Sequence, residues 1–398
     1  MQPTRARKLG LLLLSVLVLG TITELAAWIV EQALAKQGVI YLPATTEGYE
    51  RYLEQRDPLT GWPGRTADAE RDASGSRIVP GHPNPAEQSC VSLYGDSFVW
   101  GAEVAPEAAW GNLLAQRLGC RVANFGVPGF GTDQAYLRFG ANDADRAPIV
   151  VLGHLSENIV RNVNQFRPLL YPPRGFGLKP RFVLAPDGSL ELIPLPSPSV
   201  TEYAQLVREP AAYLPHEALL PGARGGPVRG GFPHTLAVLS TLWNQRVVAH
   251  VRGGNFWDEY YHPDHPTRAL AITTAIIDAF ARAAHGQGRH PVVVIFPRHH
   301  DLVARRRGRE WSYQPLLQAL HAHGITALNV GDSMLERGGD PSELFAGYHF
   351  NEAGNRLVAD VVERLLRTEG LIGAAPAGVA AGPSRLTAAS AGGQNPAP

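Results

Sequence analysis

From residue 90 onward, short apolar runs alternate with segments of helical period. The runs at 90–94, 121–125, 149–153, 291–296 and 325–330 read as strands. Between and after them, apolar positions recur at helical spacing over 107–118, 132–140, 314–323 and 351–366. Apolar strands that alternate with helices predict a parallel sheet covered on both faces. A long insertion, about 165–265, separates the third strand from the fourth and is rich in Pro and Gly. It contains a predicted hairpin, 181–184 with 190–193, turned at Pro186-Asp187-Gly188. Helical stretches near 234–250 and 267–285 follow, and the second is expected to rejoin the sheet as a covering helix.

The N-terminal pattern is different. Arg5, Arg7 and Lys8 precede an almost wholly apolar run from Leu9 to Val30, interrupted by Glu24. About 20 apolar residues span a bilayer, whereas a signal-peptide core needs about 7–15. The uncharged part ends at Thr23, and Ala33-Leu34-Ala35 resembles a cleavage site that lies far from it. Residues 1–30 are therefore expected to be a transmembrane anchor, with a cleaved signal and secretion as the alternative. Positive charge ahead of the run keeps that end cytoplasmic and puts the rest outside the inner membrane, in a periplasm or its equivalent. Residues 31–85 read as a helical stalk and a Pro/Gly/Asp-rich linker. Residues 86–370 form the main domain, and 371–398, nearly all Ala, Gly, Pro and Ser, are expected to be disordered.

Composition narrows the function. Formal net charge is zero and no basic stripe is present, Arg305-Arg306-Arg307 with Arg309 being the one dense cluster. A nucleic-acid partner is not expected. The two cysteines, Cys90 and Cys120, open successive strands with a helix between them. The starts of neighbouring parallel strands can lie roughly 5 Å apart, which a disulfide can bridge. The alternative is a pair of buried thiols.

Ligands of an open parallel sheet bind beyond the carboxyl ends of its strands. The first strand delivers Gly95-Asp96-Ser97 to that edge. The second delivers Asn124-Phe125-Gly126-Val127-Pro128-Gly129-Phe130-Gly131-Thr132-Asp133-Gln134. The third delivers His154 and then Ser156-Glu157-Asn158, and the chain later supplies Gly347-Tyr348-His349-Phe350-Asn351 ahead of the closing helix. Alone, Gly-Asp-Ser is an ordinary turn. Together the blocks read as chemistry: Ser97 a nucleophile in need of a base, and His349 that base. The amides of Ser97 and Gly129 and the side chain of Asn158 would receive an oxyanion.

In these blocks and their order the chain resembles the SGNH, or GDSL, hydrolase superfamily, from about residue 90 to 366. The resemblance implies a three-layer αβα, flavodoxin-like fold with a parallel five-stranded sheet. It also implies ester chemistry through a Ser97 acyl-enzyme, with no metal and no cofactor. Glu157-Asn158 aligns with the superfamily's Asn-Asp in two registers; one puts Glu157 where the donor Asn belongs, and an ionised carboxylate cannot donate. The superfamily usually places the triad Asp three residues before the His, where this chain has Ala346. Three outcomes stay open: Glu343 or Asp340 reaches the ring, a backbone carbonyl orients it in a Ser-His dyad, or the site is degenerate and binds without turnover.

The expected activity is an extracytoplasmic serine esterase or O-acyltransferase acting on acyl groups, acetyl above all, of an envelope glycan. A lipid-directed esterase and a silent glycan-binding or assembly protein are the alternatives. Three weaker features remain. His154, His299 and His300 could cluster around a metal but lack acidic or Cys partners at ligand spacing. Arg161 and Arg167 could receive an anion or serve as structural ion pairs. Trp257, Tyr260, Tyr261 and His262 could stack on a sugar, local packing being the simpler reading.

Overall fold

The computed structural model describes residues 5–62, 70–171 and 177–373. Five parallel strands form its central sheet: β1 (Val91–Tyr94), β2 (Val122–Asn124), β3 (Ile149–Leu155), β4 (His290–Phe296) and β5 (Ala327–Asn329). Their order is β2-β1-β3-β4-β5, the flavodoxin-like order of a doubly wound sheet. Every residue of β1 and β3 is buried. That is why both read as unbroken apolar runs, since a parallel sheet is covered on its two faces. Register places Leu93 of β1 opposite Asn124 of β2 and Val151 of β3.

Among the helices are α1 (Arg5–Lys36), α2 (Ser97–Trp100), α3 (Trp110–Leu118), α4 (Thr132–Gly140), α5 (His234–Ser240), α6 (Gln245–Val251), α7 (Ala269–Gly286), α8 (Gln314–Ala322) and α9 (Glu352–Thr368). Helix α4 packs on α7 and α7 on α8, while α3 packs on α9, so helices cover the sheet in two layers. Helix α9 starts at Asn351, whose side-chain oxygen accepts from the amides of Ala353 and Gly354. This satisfies two of the amide donors that a helix N-terminus leaves open. The hairpin of the insertion pairs Arg181–Leu184 with Leu190–Ile193. Asp187 in its turn accepts from the Ser189 amide.

Cys90 and Cys120 are joined by a disulfide, with Cα atoms 6.1 Å apart. It ties the start of β1 to the start of β2, which neighbour each other in the sheet.

The segment expected to be stalk and linker is built into the domain over its described residues. The apolar run and the first residues of the segment expected to be stalk form one continuous helix, α1, which is long and apolar enough to cross a membrane. Beyond it, Ile40–Tyr41 pairs in parallel with Val228–Arg229 of the insertion. Tyr49 is buried and stacks on Tyr203 with ring centroids 3.8 Å apart. Arg77 donates its backbone amide to Asn124 at the sheet edge, and Arg121 pairs with Asp72 at 2.5 Å. Isolated bridges and single aromatic anchors have no period, so pattern alone reads them as linker. The tail expected at 371–398 falls, from 374 on, outside the described residues.

Candidate active site

Strand β1 breaks at Gly95 because the chain must turn there against packed neighbours. A Cβ at Gly95 would lie 2.3 Å from Val99 Cγ2 and 3.2 Å from the Gly153 carbonyl oxygen. Asp96 then caps α2, its Oδ1 accepting from the Phe98 amide at 2.8 Å. The cap puts Ser97 at the first helical position, on the carboxyl edge of the sheet.

His349 comes from the far end of the chain. It lies in a two-strand hairpin, Phe345–Ala346 with His349–Phe350, just before α9. Its ring sits 5.3 Å, centroid to centroid, from Phe98, which packs edge-on against Phe350. Nε2 of His349 lies 2.9 Å from Ser97 Oγ. On the other side, Nδ1 lies 2.8 Å from Glu103 Oε1. An ionised carboxylate only accepts, so Nδ1 carries the proton and Nε2 is left to accept from the serine hydroxyl. Serine, imidazole and carboxylate stand in one hydrogen-bonded line.

Glu103 is the residue that sequence reasoning missed. It lies six positions after Ser97, in the turn that closes α2, with a left-handed backbone (φ 67°) that side chains other than glycine seldom adopt. Buried Arg77 braces that turn. Its Nη1 donates to the carbonyls of Trp100 and Gly101 at 2.7 and 2.9 Å, and its Nη2 to that of Val104 at 2.9 Å. Across from Glu103, a Cβ at Gly347 would come within 3.5 Å of its Oε2. The only sequence signal was an acid in the loop leaving the nucleophile's own helix.

The carboxylates expected from the sequence are engaged elsewhere. Glu343 Oε2 lies 3.5 Å from Arg337, and Asp340 accepts from the Ser342 amide at 3.0 Å. Ala346 sits opposite His349 in the hairpin and has no polar group to offer. Neither a bare dyad nor Glu343 or Asp340 describes this geometry, because the carboxylate at Nδ1 comes from the loop that follows the serine's own helix.

The oxyanion candidates Ser97, Gly129 and Asn158 follow the carboxyl ends of the neighbouring strands β1, β2 and β3. The amides of Ser97 and Gly129 find no acceptor among the described residues. Gly129 has φ 87°, a conformation that favours glycine. Its carbonyl is held at 2.7 Å by Arg167, which is stacked on Trp62 and Tyr171. Asn158 donates through Nδ2 to Asp96 Oδ2 at 3.0 Å, which fixes the direction of its amide. Burial raises the pKa of Asp96, opposed chiefly by the Arg161 guanidinium 3.5 Å away.

Glu157 is occupied by Arg161 at 2.6 Å and Arg298 at 3.2 Å. Burial would raise its pKa, but those two cations outweigh burial and hold it below the usual carboxylate range. Glu157 is thus an acceptor in an ion-pair network, and Asn158 is the one of the two whose side chain can donate, one hydrogen of Nδ2 being given to Asp96. Arg161 and Arg167 act in that same frame. The rest of the glycine block is also bracing: Asp133 pairs with buried Lys179, and Gln134 donates to Thr60 at 2.7 Å.

Of the remaining sequence candidates, His154, Tyr260 and Tyr261 are built into the core. His154 is enclosed in the core, with Thr132 at 2.7 Å and Tyr261 at 3.0 Å, apart from His299 and His300 on a surface helix. Burial, with Arg161 adding to it, pushes its pKa down to about 3, so it stays neutral. Tyr260 and Tyr261 are buried, and Tyr261 donates to the Ser156 carbonyl at 2.6 Å.

No protein-family model and no curated protein matches the chain. Solved structures similar to it include a member of the lipolytic G-D-S-L family from Veillonella parvula, at 14% identity and TM-score 0.32, covering 70% of this chain and 97% of that one. The lipase/acylhydrolase from Enterococcus faecalis has 12% identity and TM-score 0.34, covering 70% and 95%. An acetyl xylan esterase, AlAXEase, has 11% identity and TM-score 0.35, covering 69% and 98%.

Proposed function

We propose that this chain is a membrane-anchored, extracytoplasmic serine esterase or acyltransferase of the SGNH/GDSL type, acting on O-acyl groups of an envelope glycan. The observation that carries the reading is the line Ser97–His349–Glu103. Ser97 Oγ attacks the ester carbonyl carbon while its proton passes to Nε2 of His349. The imidazolium is stabilised by Glu103 at Nδ1. The amides of Ser97 and Gly129, with Nδ2 of Asn158, receive the negative oxygen; one such donor is typically worth roughly 10²–10³ in rate. The tetrahedral intermediate expels the sugar oxygen, which takes the proton from His349 and leaves Ser97 acylated. Water or a second sugar hydroxyl then gives its proton to His349 and attacks the acyl carbon; the bond to Ser97 Oγ breaks, Oγ takes that proton back from His349, and the acid or the acylated sugar leaves.

Support for a glycan is a solvent-exposed ring at the mouth of the site. Tyr348 precedes His349, is 68% exposed and has the Arg298 guanidinium 5.1 Å from its ring centre. An aromatic face beside a donor-rich group suits a pyranose. Support for the compartment comes from α1, the positive residues that open it, and the Cys90–Cys120 disulfide, which belongs to oxidising surroundings.

A fluorophosphonate should form an adduct on Ser97 of the full chain, and Ser97→Ala should abolish both adduct and ester hydrolysis. Hydrolysis undiminished in Ser97→Ala sinks the reading. Acetylated glycans, short acyl esters and phospholipids in one panel, with and without an acceptor glycan, separate the substrate classes and hydrolysis from transfer.

A further inference from the structure

Outside α1, ten large hydrophobic or aromatic side chains are exposed among the described residues, and six of them lie between Phe232 and Val251. Phe232, Leu236, Leu239, Leu242, Trp243 and Val251 are 81%, 60%, 47%, 59%, 78% and 79% exposed. Residues 232, 236, 239 and 243 recur at the spacing that lines one helical face. A soluble surface scatters such residues singly, whereas a concentration of them marks an interaction site.

Position relative to α1 says what covers this face. From Leu9 to Ile22 the large apolar side chains of α1 are exposed, so that half of the helix packs against no other described part of the protein. Contact begins at Glu24, the first charge after the apolar run. Glu24 accepts from the amides of His234 at 2.7 Å and Thr235 at 3.3 Å. One heptad on, Glu31 accepts from the Gly231 amide at 2.6 Å and pairs with the His234 ring. The two carboxylates clamp the N-terminus of α5 to α1. The clamp is continued by Ile40–Tyr41 on Val228–Arg229, and by Arg246 of α6, which donates to the carbonyls of Gly225 and Leu169 at 2.9 and 2.7 Å.

The apolar face is therefore held beside the residues where α1 leaves the bilayer. We propose that the α5–α6 segment is a second membrane contact, its face from Phe232 to Trp243 lying in the headgroup and upper acyl region. The proposal rests on reading α1 as a membrane span. The occupant is lipid, because α1 fixes the height of the segment at the interface and continues the same apolar surface through Leu25, Trp28 and Ile29, all exposed. Amphipathic helices dock in this way, with the apolar face about 5–10 Å into the headgroup boundary. Two contacts, one spanning and one lying flat, restrict rotation of the domain about α1 and fix the direction in which Ser97 faces.

The chain's two cysteines are joined in the disulfide and none is free, so one introduced cysteine carries one label. The full chain is reconstituted in vesicles of phosphatidylethanolamine and phosphatidylglycerol, with an environment-sensitive fluorophore at Leu239→Cys or Trp243→Cys. Reference labels sit at Leu12→Cys in the span and Ser189→Cys in the exposed hairpin turn. Spin-labelled lipids are the quenchers. Labels at 239 and 243 should lose emission by about twofold or more relative to 189, and more to a shallow spin label than to a deep one. Label 12 should respond most to the deep one. Quenching at 12 with 239 and 243 behaving like 189 overturns the second contact and leaves the anchor standing. No quenching at 12 either overturns both. The vesicles hold no other protein, so quenching at 239 and 243 assigns the face to lipid rather than to a partner helix. Adding Leu236→Asp to the Leu239→Cys chain, a change at an exposed position, should abolish the response at 239 if the face inserts as a unit.

Discussion

On the proposed esterase reading, Glu103 supplies the carboxylate that the resemblance would have placed at Ala346. The carboxylate that holds the His349 ring comes from the loop behind the nucleophile, and its side chain is 41% exposed. A fully buried triad aspartate, changed to its amide, costs about 10⁴ in kcat, and solvent screening at Glu103 reduces that. Glu103→Gln is expected to lower kcat on an ester substrate by roughly 10²-fold, while Glu343→Ala and Asp340→Ala leave it within about twofold. Steady-state kinetics on the folded variants decides this; a large loss in Glu343→Ala with none in Glu103→Gln would reverse the assignment. The other site residues were legible because each sits at a strand end, next to the glycine or helix start that its chemistry requires. Glu103 was not, since its place depends on a left-handed turn and on Arg77, which reaches that turn from a segment without periodicity. Both are facts of tertiary structure.

Elements with a strong repeat were readable from the chain, and those held by single contacts were not. The five strands and the helices covering them follow from continuous or periodic apolar positions. The segment from Glu70 to Asn84 has neither. It stays on the sheet through Arg77 on Asn124 and through the Asp72–Arg121 pair. Burial raises the pKa of Asp72, but hydrogen bonds from Ser74 and from Arg121, with the latter's charge, more than offset it, so its folded value lies below the ordinary one. A carboxylate depressed in the folded state stabilises above its unfolded pKa, near about 4, and that stability is lost as pH falls through the lower folded value. Asp72→Asn should therefore lower the urea midpoint at neutral pH and show a smaller further loss on acidification to about pH 3. Equal acid sensitivity in the two proteins would contradict the assignment. The disulfide fixes the same edge. Closing a loop of this length (a separation of 30 residues) is worth about 3–4 kcal/mol by chain entropy, and denaturation of the Cys90→Ser/Cys120→Ser protein should show a loss of that order.

At the scale of the whole molecule the question is which way Ser97 faces, and independent features agree. Arg5 and Lys8 open α1, which is one helix through Lys36 and joins the domain at Glu24 and Glu31. Lys and Arg beside a span stay on the cytoplasmic side. On the proposed reading the domain emerges where thiols oxidise, and its two cysteines are paired. It follows that a fluorophosphonate unable to cross a bilayer should label Ser97 in intact spheroplasts as fully as in detergent-opened ones. Reversing the leading charges (Arg5→Glu, Arg7→Glu, Lys8→Glu) should weaken the orientation signal and reduce labelling from outside. In the molecules left facing inward, Cys90 and Cys120 should become reactive toward maleimide. Labelling that requires opening the membrane in the unaltered chain would put the domain on the other side, and the glycan outside the cell would then be out of its reach.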